Sequence, residues 1–170
     1  MTVREILAEN DLVALAEFAA GDKELLDNGS DGAFDVDRDQ REQLISFEAG
    51  HAVVVDQITG ELVGDVSWHP VSYGPSYACT AWNFGIALLP SARGRGLGVA
   101  AQRLLVEHLF ASTDLDRVEA STDVENRAEQ RALEKAGLRR EGVLRGAQLR
   151  DGARRDIVVY GMVRSDLPSS

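Results

Sequence analysis

The stretch Arg93-Gly94-Arg95-Gly96-Leu97-Gly98 combines residue types and spacing that suit an anion. Closely spaced glycines let backbone N–H groups approach a charged oxygen with no Cβ in the way. Leu97, Ala100, Ala101, Leu104, Leu105, His108 and Leu109 follow at i, i+3, i+4, i+7 spacing and predict a helix. Its first turn would add unpaired N–H groups and the positive end of a helix dipole. The two arginines add permanent charge and forked donors. Pyrophosphate binding is the chemistry these features suit together. No Lys-Ser or Lys-Thr follows, as a mononucleotide P-loop needs. Gly94, Gly96 and Gly98 give G-x-G-x-G with Val99 next, not the dinucleotide G-x-G-x-x-G, and they follow a late strand rather than the first. Taken alone, the loop also has a purely structural reading as a glycine-rich turn.

Other reactive residue types form no cluster. His51, His69 and His108 fall on separate predicted elements without metal-ligand spacing, and His108 reads as a packing residue of an amphipathic helix. The lone Cys79 excludes an intramolecular disulfide and a cysteine-rich zinc site. It is a candidate nucleophile for a covalent intermediate, but a small buried strand residue is the simpler reading. The run Asp27-Asn28-Gly29-Ser30-Asp31-Gly32 fails as a calcium loop: Gly29 stands at the third ligand position and Arg38 at the twelfth. No metal is expected.

The elements around the glycine turn follow from pattern. Residues 3–7 predict a strand. Asp11 followed by Leu12, Val13, Leu15, Ala16 and Phe18, with Gly21 as C-cap, predicts a helix. Residues 27–40 read as loop. Residues 51–56 and 61–68 predict a hairpin, an aromatic and proline-rich excursion follows, and residues 79–88 predict the next strand. Beyond the turn come a strand at 116–122, a helix over 125–136 stopping at Gly137, and a closing pair at 138–145 and 155–163. The order implies one α/β or α+β domain over residues 1–170 with a mixed sheet.

Charge narrows the partners. The formal net charge is −10, and residues 1–48 alone carry −9. A basic stripe for nucleic acid is therefore not expected, and the acidic segment reads as a solvated face. No run approaches the ~18 apolar residues of a membrane span. Met1-Thr2-Val3-Arg4-Glu5 has no apolar signal region, so a soluble, cytoplasmic protein is expected.

Four motifs in order resemble one family. Arg93-x-x-Gly96-x-Gly98 after Gly85-Ile86-Ala87-Leu88-Leu89-Pro90 is similar to the acetyl-CoA signature of the GCN5-related N-acetyltransferases (GNAT). The segment from Glu125-Asn126 to Gly137-Leu138 resembles the asparagine-bearing helix of the RimJ/RimL-like branch. Glu141-Gly142-Val143-Leu144-Arg145 and Asp156-Ile157-Val158-Val159-Tyr160 resemble that branch's last strands. The resemblance covers residues 51–164. It implies a mixed, mostly antiparallel sheet flanked by helices, with acetyl-CoA in a splay between strands four and five. It implies backbone contacts from Ile86, Ala87 and Leu88 to the pantetheine arm. It places the pyrophosphate on Arg93, Gly94, Arg95, Gly96, Leu97, Gly98 and Val99, with Asn126 touching the cofactor.

The implied activity is acetyl transfer to a primary amine, on a protein N-terminus or a small molecule, by direct attack. Homodimers are common in the family. Three positions depart from its pattern. Leu133 stands where many members have an acidic tyrosine, Glu129 where the branch often has serine, and Gln148 where a glutamate base falls. Glu129, one turn after Asn126, is thus the candidate for proton handling, against a solvent-exposed glutamate paired with Arg127 or Arg131. Trp68, Tyr73, Tyr77 and Trp82 are the candidate wall of the acceptor pocket. The alternative is a degenerate acyl-CoA-binding sensor without turnover.

Overall fold

The computed structural model describes residues 5–26 and 49–168. The loop expected over 27–40 and the start of the strand expected at 3–7 lie outside the described residues. Eight strands form one sheet: β1 Ile6–Glu9, β2 Val13–Glu17, β3 Gly50–Asp56, β4 Leu62–Ser72, β5 Thr80–Leu88, β6 Arg117–Asp123, β7 Arg139–Arg150 and β8 Ala153–Val163. Their spatial order is β1-β2-β3-β4-β5-β6-β8-β7. All neighbours are antiparallel except β5 and β6, which run parallel. Among the described residues the α-helices are α1 Asp22–Leu26, α2 Leu97–Ser112 and α3 Arg127–Ala136.

The segment expected as the first helix is instead β2. Val13, Ala14, Leu15 and Ala16 are all buried, between β1 on one edge and β3 on the other. A strand covered on both faces shows a continuous apolar run, which periodicity does not separate from a buried helix. The added strand moves the expected splay, between strands four and five, to β5 and β6. β4 also runs further than its hydrophobic pattern, through Pro70 to Ser72. Pairing with β3 stops at Gly50–Trp68, so among the described residues Pro70 lies where β4 has a partner only in β5, and its missing N–H is tolerated.

Alternation along the strands sorts the sheet's faces. Trp68, Trp82, Phe84, Val118, Ala120, Val158 and Tyr160 point to the side where α2 and α3 pack. Trp68 meets His108 of α2 edge-on, and the Tyr160 hydroxyl donates to Glu134 of α3 at 3.0 Å. Leu97, Ala101, Leu104, Leu105 and Leu109 of α2 close this core. α3 ends where Gly137 enters the left-handed region at φ 102°. There the Gly137 and Leu138 amides return to Glu134 and Leu133 carbonyls, a helix stop that favours glycine.

Candidate active site

β5 and β6 pair only from Trp82–Val118 to Phe84–Ala120. Beyond that point β5 stays with β4 as far as Leu88, while β6 stays with β8 as far as Asp123. The two strands therefore part, and among the described residues the β6-facing edge of Gly85–Leu88 has no strand partner. α2 begins just after the end of β5, and α3 just after the end of β6. Their N-terminal turns border the opening.

The glycine turn lies at the mouth. Gly94 and Gly96 sit at φ 72° and 81°, with open space where a Cβ would project. Gly96 caps α2, and the first helical bond at this end runs from the Ala100 N–H to the Gly96 carbonyl at 3.1 Å. The amides of Leu97, Gly98 and Val99 precede it, in the turn where a helix leaves donors without intrahelical acceptors. Open backbone donors, a dipole end and missing Cβ atoms fit an anionic group.

The two arginines differ. Arg93 donates from Nε to the Leu88 carbonyl at 3.2 Å, folding back over the end of β5. Arg95 donates to the buried carboxylate of Asp56 at 2.6 Å. Asp56 also accepts the Ile58 amide at 2.9 Å. That amide first, and Arg95 with it, hold the Asp56 carboxyl below the usual carboxylate range. Arg95 thus ties the glycine turn to the β3–β4 connection, a link that spacing along the chain did not show.

On α3, Asn126 is the N-cap: its Oδ1 accepts the Glu129 amide at 3.2 Å. Glu129 is not a solvent-exposed partner of Arg127 or Arg131. Its Oε1 accepts from Nε2 of Gln102 on α2 at 2.6 Å. Burial pushes its carboxyl up to about 7, against a smaller opposing effect of the Gln102 bond. Leu133 is fully buried in the core. Gln148 lies on β7 opposite Arg155, remote in the sheet order from the parting strands.

The four aromatics do not stay together. Trp82 is a core residue whose indole N–H donates to Thr113 at 3.1 Å, and Trp68 packs on His108. Neither walls a pocket on the opposite face, because strand alternation turns both toward the helices. Burial lowers the pKa of His108 there. Tyr77 is exposed in a short 3-10 turn, Tyr77–Cys79. Cys79, half-buried in that turn and not in a strand, has Sγ 3.3 Å from the Ser76 hydroxyl.

Tyr73 alone of the four lines a cavity of about 630 Å³, on the sheet face away from α2 and α3. Ala78, Ala81, Val143, Leu144 and Val159 give its apolar wall, and Arg117 and Glu141 give it charge. Beneath it runs a polar network that sequence reading missed. The Tyr73 hydroxyl donates to Glu119 at 2.7 Å, which raises the phenol's pKa. Asn83 Nδ2 donates to the same carboxylate at 3.2 Å. Arg117 bonds Glu119 at 3.0 Å and Glu141 at 2.7 Å, and holds the Glu141 carboxyl below its ordinary range. Gly161 makes room: a Cβ there would stand 2.5 Å from Glu141 and 2.7 Å from Arg117. The available signal was a charged or amide residue in mid-strand, Glu119 in β6 and Asn83 in β5, where an interior position demands a partner.

Two parallel strands that part beside a glycine-rich turn capping a helix form the arrangement expected of an acyl-CoA-dependent transferase. The family model described as an acetyltransferase (GNAT) domain matches residues 1–139, and the chain belongs to that family. It is an acetyl-CoA-dependent N-acetyltransferase. A probable N-acetyltransferase of Bacillus subtilis (strain 168), YjcK, is 29% identical over 126 residues, covering 74% of this chain and 68% of that one. Mycobacterium smegmatis RimJ in complex with CoA-disulfide superposes with a TM-score of 0.74 at 21% identity, covering 97% of this chain and 88% of that one. A mutant of the Vibrio cholerae spermidine N-acetyltransferase SpeG gives 0.74 at 19% identity, covering 92% and 96%. Among the described residues no group of His, Cys, Asp and Glu could hold a metal, and no helix is long and apolar enough to cross a membrane.

Proposed function

We propose that acetyl-CoA enters at the parting of β5 and β6 and that a primary amine meets it from the opposite sheet face. The observation that carries this reading is the end of β5–β6 pairing at Phe84–Ala120, beside the glycine turn. Gly94, Gly96 and the amides of Leu97, Gly98 and Val99 receive the pyrophosphate, with Arg93 beside them. Arg95 holds the turn in place through Asp56. The free edge at Ile86, Ala87 and Leu88 offers backbone groups to the pantetheine arm. Asn126, with Oδ1 used as a cap, keeps its amide N–H groups for that arm.

Acetyl-CoA supplies an activated thioester. The chain's task is to bring it and a neutral amine together in a fixed geometry. The cavity with Tyr73 on its wall receives the body of the acceptor, and its apolar lining excludes water from the reacting nitrogen. Glu129, whose carboxyl is raised to about 7 by burial, donates a proton to the departing thiolate from its protonated form. The proton lost by the amine leaves through water, which then restores Glu129. The acceptor is a small-molecule amine or a protein N-terminus.

A thiol-release assay with acetyl-CoA over a panel of small amines and short peptides tests this. Turnover on any member supports the transferase reading. Binding of acetyl-CoA without turnover on all of them would make the chain a sensor module, the alternative that Leu133 in place of a tyrosine keeps open. The same reading takes residues 1–170 as one cytoplasmic acetyltransferase domain assembled as a homodimer, which light scattering on the purified chain checks.

A further inference from the structure

Gln102 is fully buried, yet its Oε1 has no hydrogen-bond partner. A buried amide oxygen left unpaired is costly and points to an unstated partner. Its Nε2 is already bonded to Glu129 at 2.6 Å. Gln102 lies in the second turn of α2 and Glu129 in the first turn of α3. Their bond therefore spans the two helices that follow the parted strands, at the edge of the opening.

A carboxylate has no hydrogen to offer the orphan oxygen. A carboxylic acid does: with one oxygen accepting from Nε2 and its O–H donating to Oε1, acid and amide make a closed two-bond pair. Other charges near the pair are engaged elsewhere. On α3, Arg127 donates to Gln130. Glu125, just before α3, pairs with Arg155 of β8 at 3.2 Å. On α2, Arg103 donates to the Lys135 carbonyl. At the end of β6, Asp123 accepts the Glu125 amide.

We propose that Gln102 is the positioning residue for proton transfer in this enzyme, fixing the Glu129 carboxyl across the mouth of the opening as an acid before the thiolate forms and, through Nε2, as a carboxylate after it. The inference rests on the transferase reading and names the device that sets its proton donor. In the step, the Glu129 O–H bond breaks and an S–H bond forms on the leaving thiolate. Glu129 is left as a carboxylate, bonded to Nε2 alone, and regains a proton from water, which has taken the proton of the attacking amine.

The test begins with the carboxyl carbon of Glu129, followed by NMR through a pH titration of the whole chain. Wild type is expected to titrate near neutral pH and Gln102→Met at a higher pH, since methionine keeps the shape but offers no donor. In turnover, the pH limb that Glu129→Gln removes identifies Glu129. Gln102→Met should move that same limb upward and lower kcat about tenfold, part of the ~10²–10⁴ a general acid contributes. KM for acetyl-CoA should stay within twofold, which a merely structural role would not leave untouched. A Glu129 that titrates in the ordinary carboxylate range in wild type overturns the proposal, even if the methionine variant does not fold. So does a Gln102→Met enzyme with the wild-type limb and kcat. If no amine is turned over, the transferase reading fails by itself, and the NMR titration still decides whether Gln102 shares the proton.

Discussion

The two sides of the sheet use different means. On the proposed cofactor side, the candidate binding groups are backbone amides and strand edges, brought together by residues adjacent in sequence: Gly94, Gly96 and the first turn of α2. On the far side, the cavity and its network come from side chains of β5, β6, β7, β8 and the segment around Tyr73, spread from residue 73 to residue 159. A ligand common to many proteins needs only a local backbone shape. A surface built from separate strands can be recut residue by residue, which is why the proposed acceptor site is put on that side.

The comparison breaks most readily at the glycine turn. Gly96→Val puts a β-branched residue at φ 81°, a strain of about 1–3 kcal/mol, and its side chain projects into the anion's space. Acetyl-CoA Kd should rise tenfold or more by calorimetric titration. Wild-type affinity would show that the turn is structural only. Next in size, Arg117→Met leaves Glu119, 4% exposed, without its cation. Loss of one partner of a buried pair costs about 3–5 kcal/mol, and the quarter-exposed Arg117 side chain puts the expected loss near or below the low end. Chemical denaturation measures it, while acetyl-CoA affinity should hold.

A finer test separates the two sides directly. Leu144→Trp fills the cavity from a half-exposed position, so KM for the acceptor should rise several-fold with acetyl-CoA Kd unchanged. A matching loss of cofactor affinity would mean that the sides are not independent. The smallest effect is on pH-dependent stability. Glu129 titrates from an ordinary 4.5 up to about 7 in the fold, so between those values the folded state binds more protons than the unfolded one. Stability should fall as pH rises through that window. Glu129→Gln should flatten the slope in thermal melts, and an unchanged slope would assign it to another group.

Legibility followed the same division. The motif Arg93-x-x-Gly96-x-Gly98, the α2 pattern and Asn126 ahead of α3 are local signals, and each element lies within a few residues of its expected place. β2 was misread because Val13–Ala16 is buried on both faces, which removes the alternation that marks a strand. The four aromatics expected as one wall are divided, because Trp68 and Trp82 are near Tyr73 in sequence but turn to the opposite face of the sheet.

The sequence by itself determined the family, the glycine turn and the helix behind it, since a helix cap and a positive-φ turn depend on neighbours within a few residues. Only the tertiary structure decided that Arg95 anchors to Asp56, that Glu129 meets Gln102 rather than an arginine, and that Glu119 gathers Tyr73, Asn83 and Arg117. Those pairs are 27 to 46 residues apart for the bonds from Arg95, Gln102, Tyr73 and Asn83. They form because strand register and helix packing bring distant side chains to one place, and no local preference encodes which distant residue that will be.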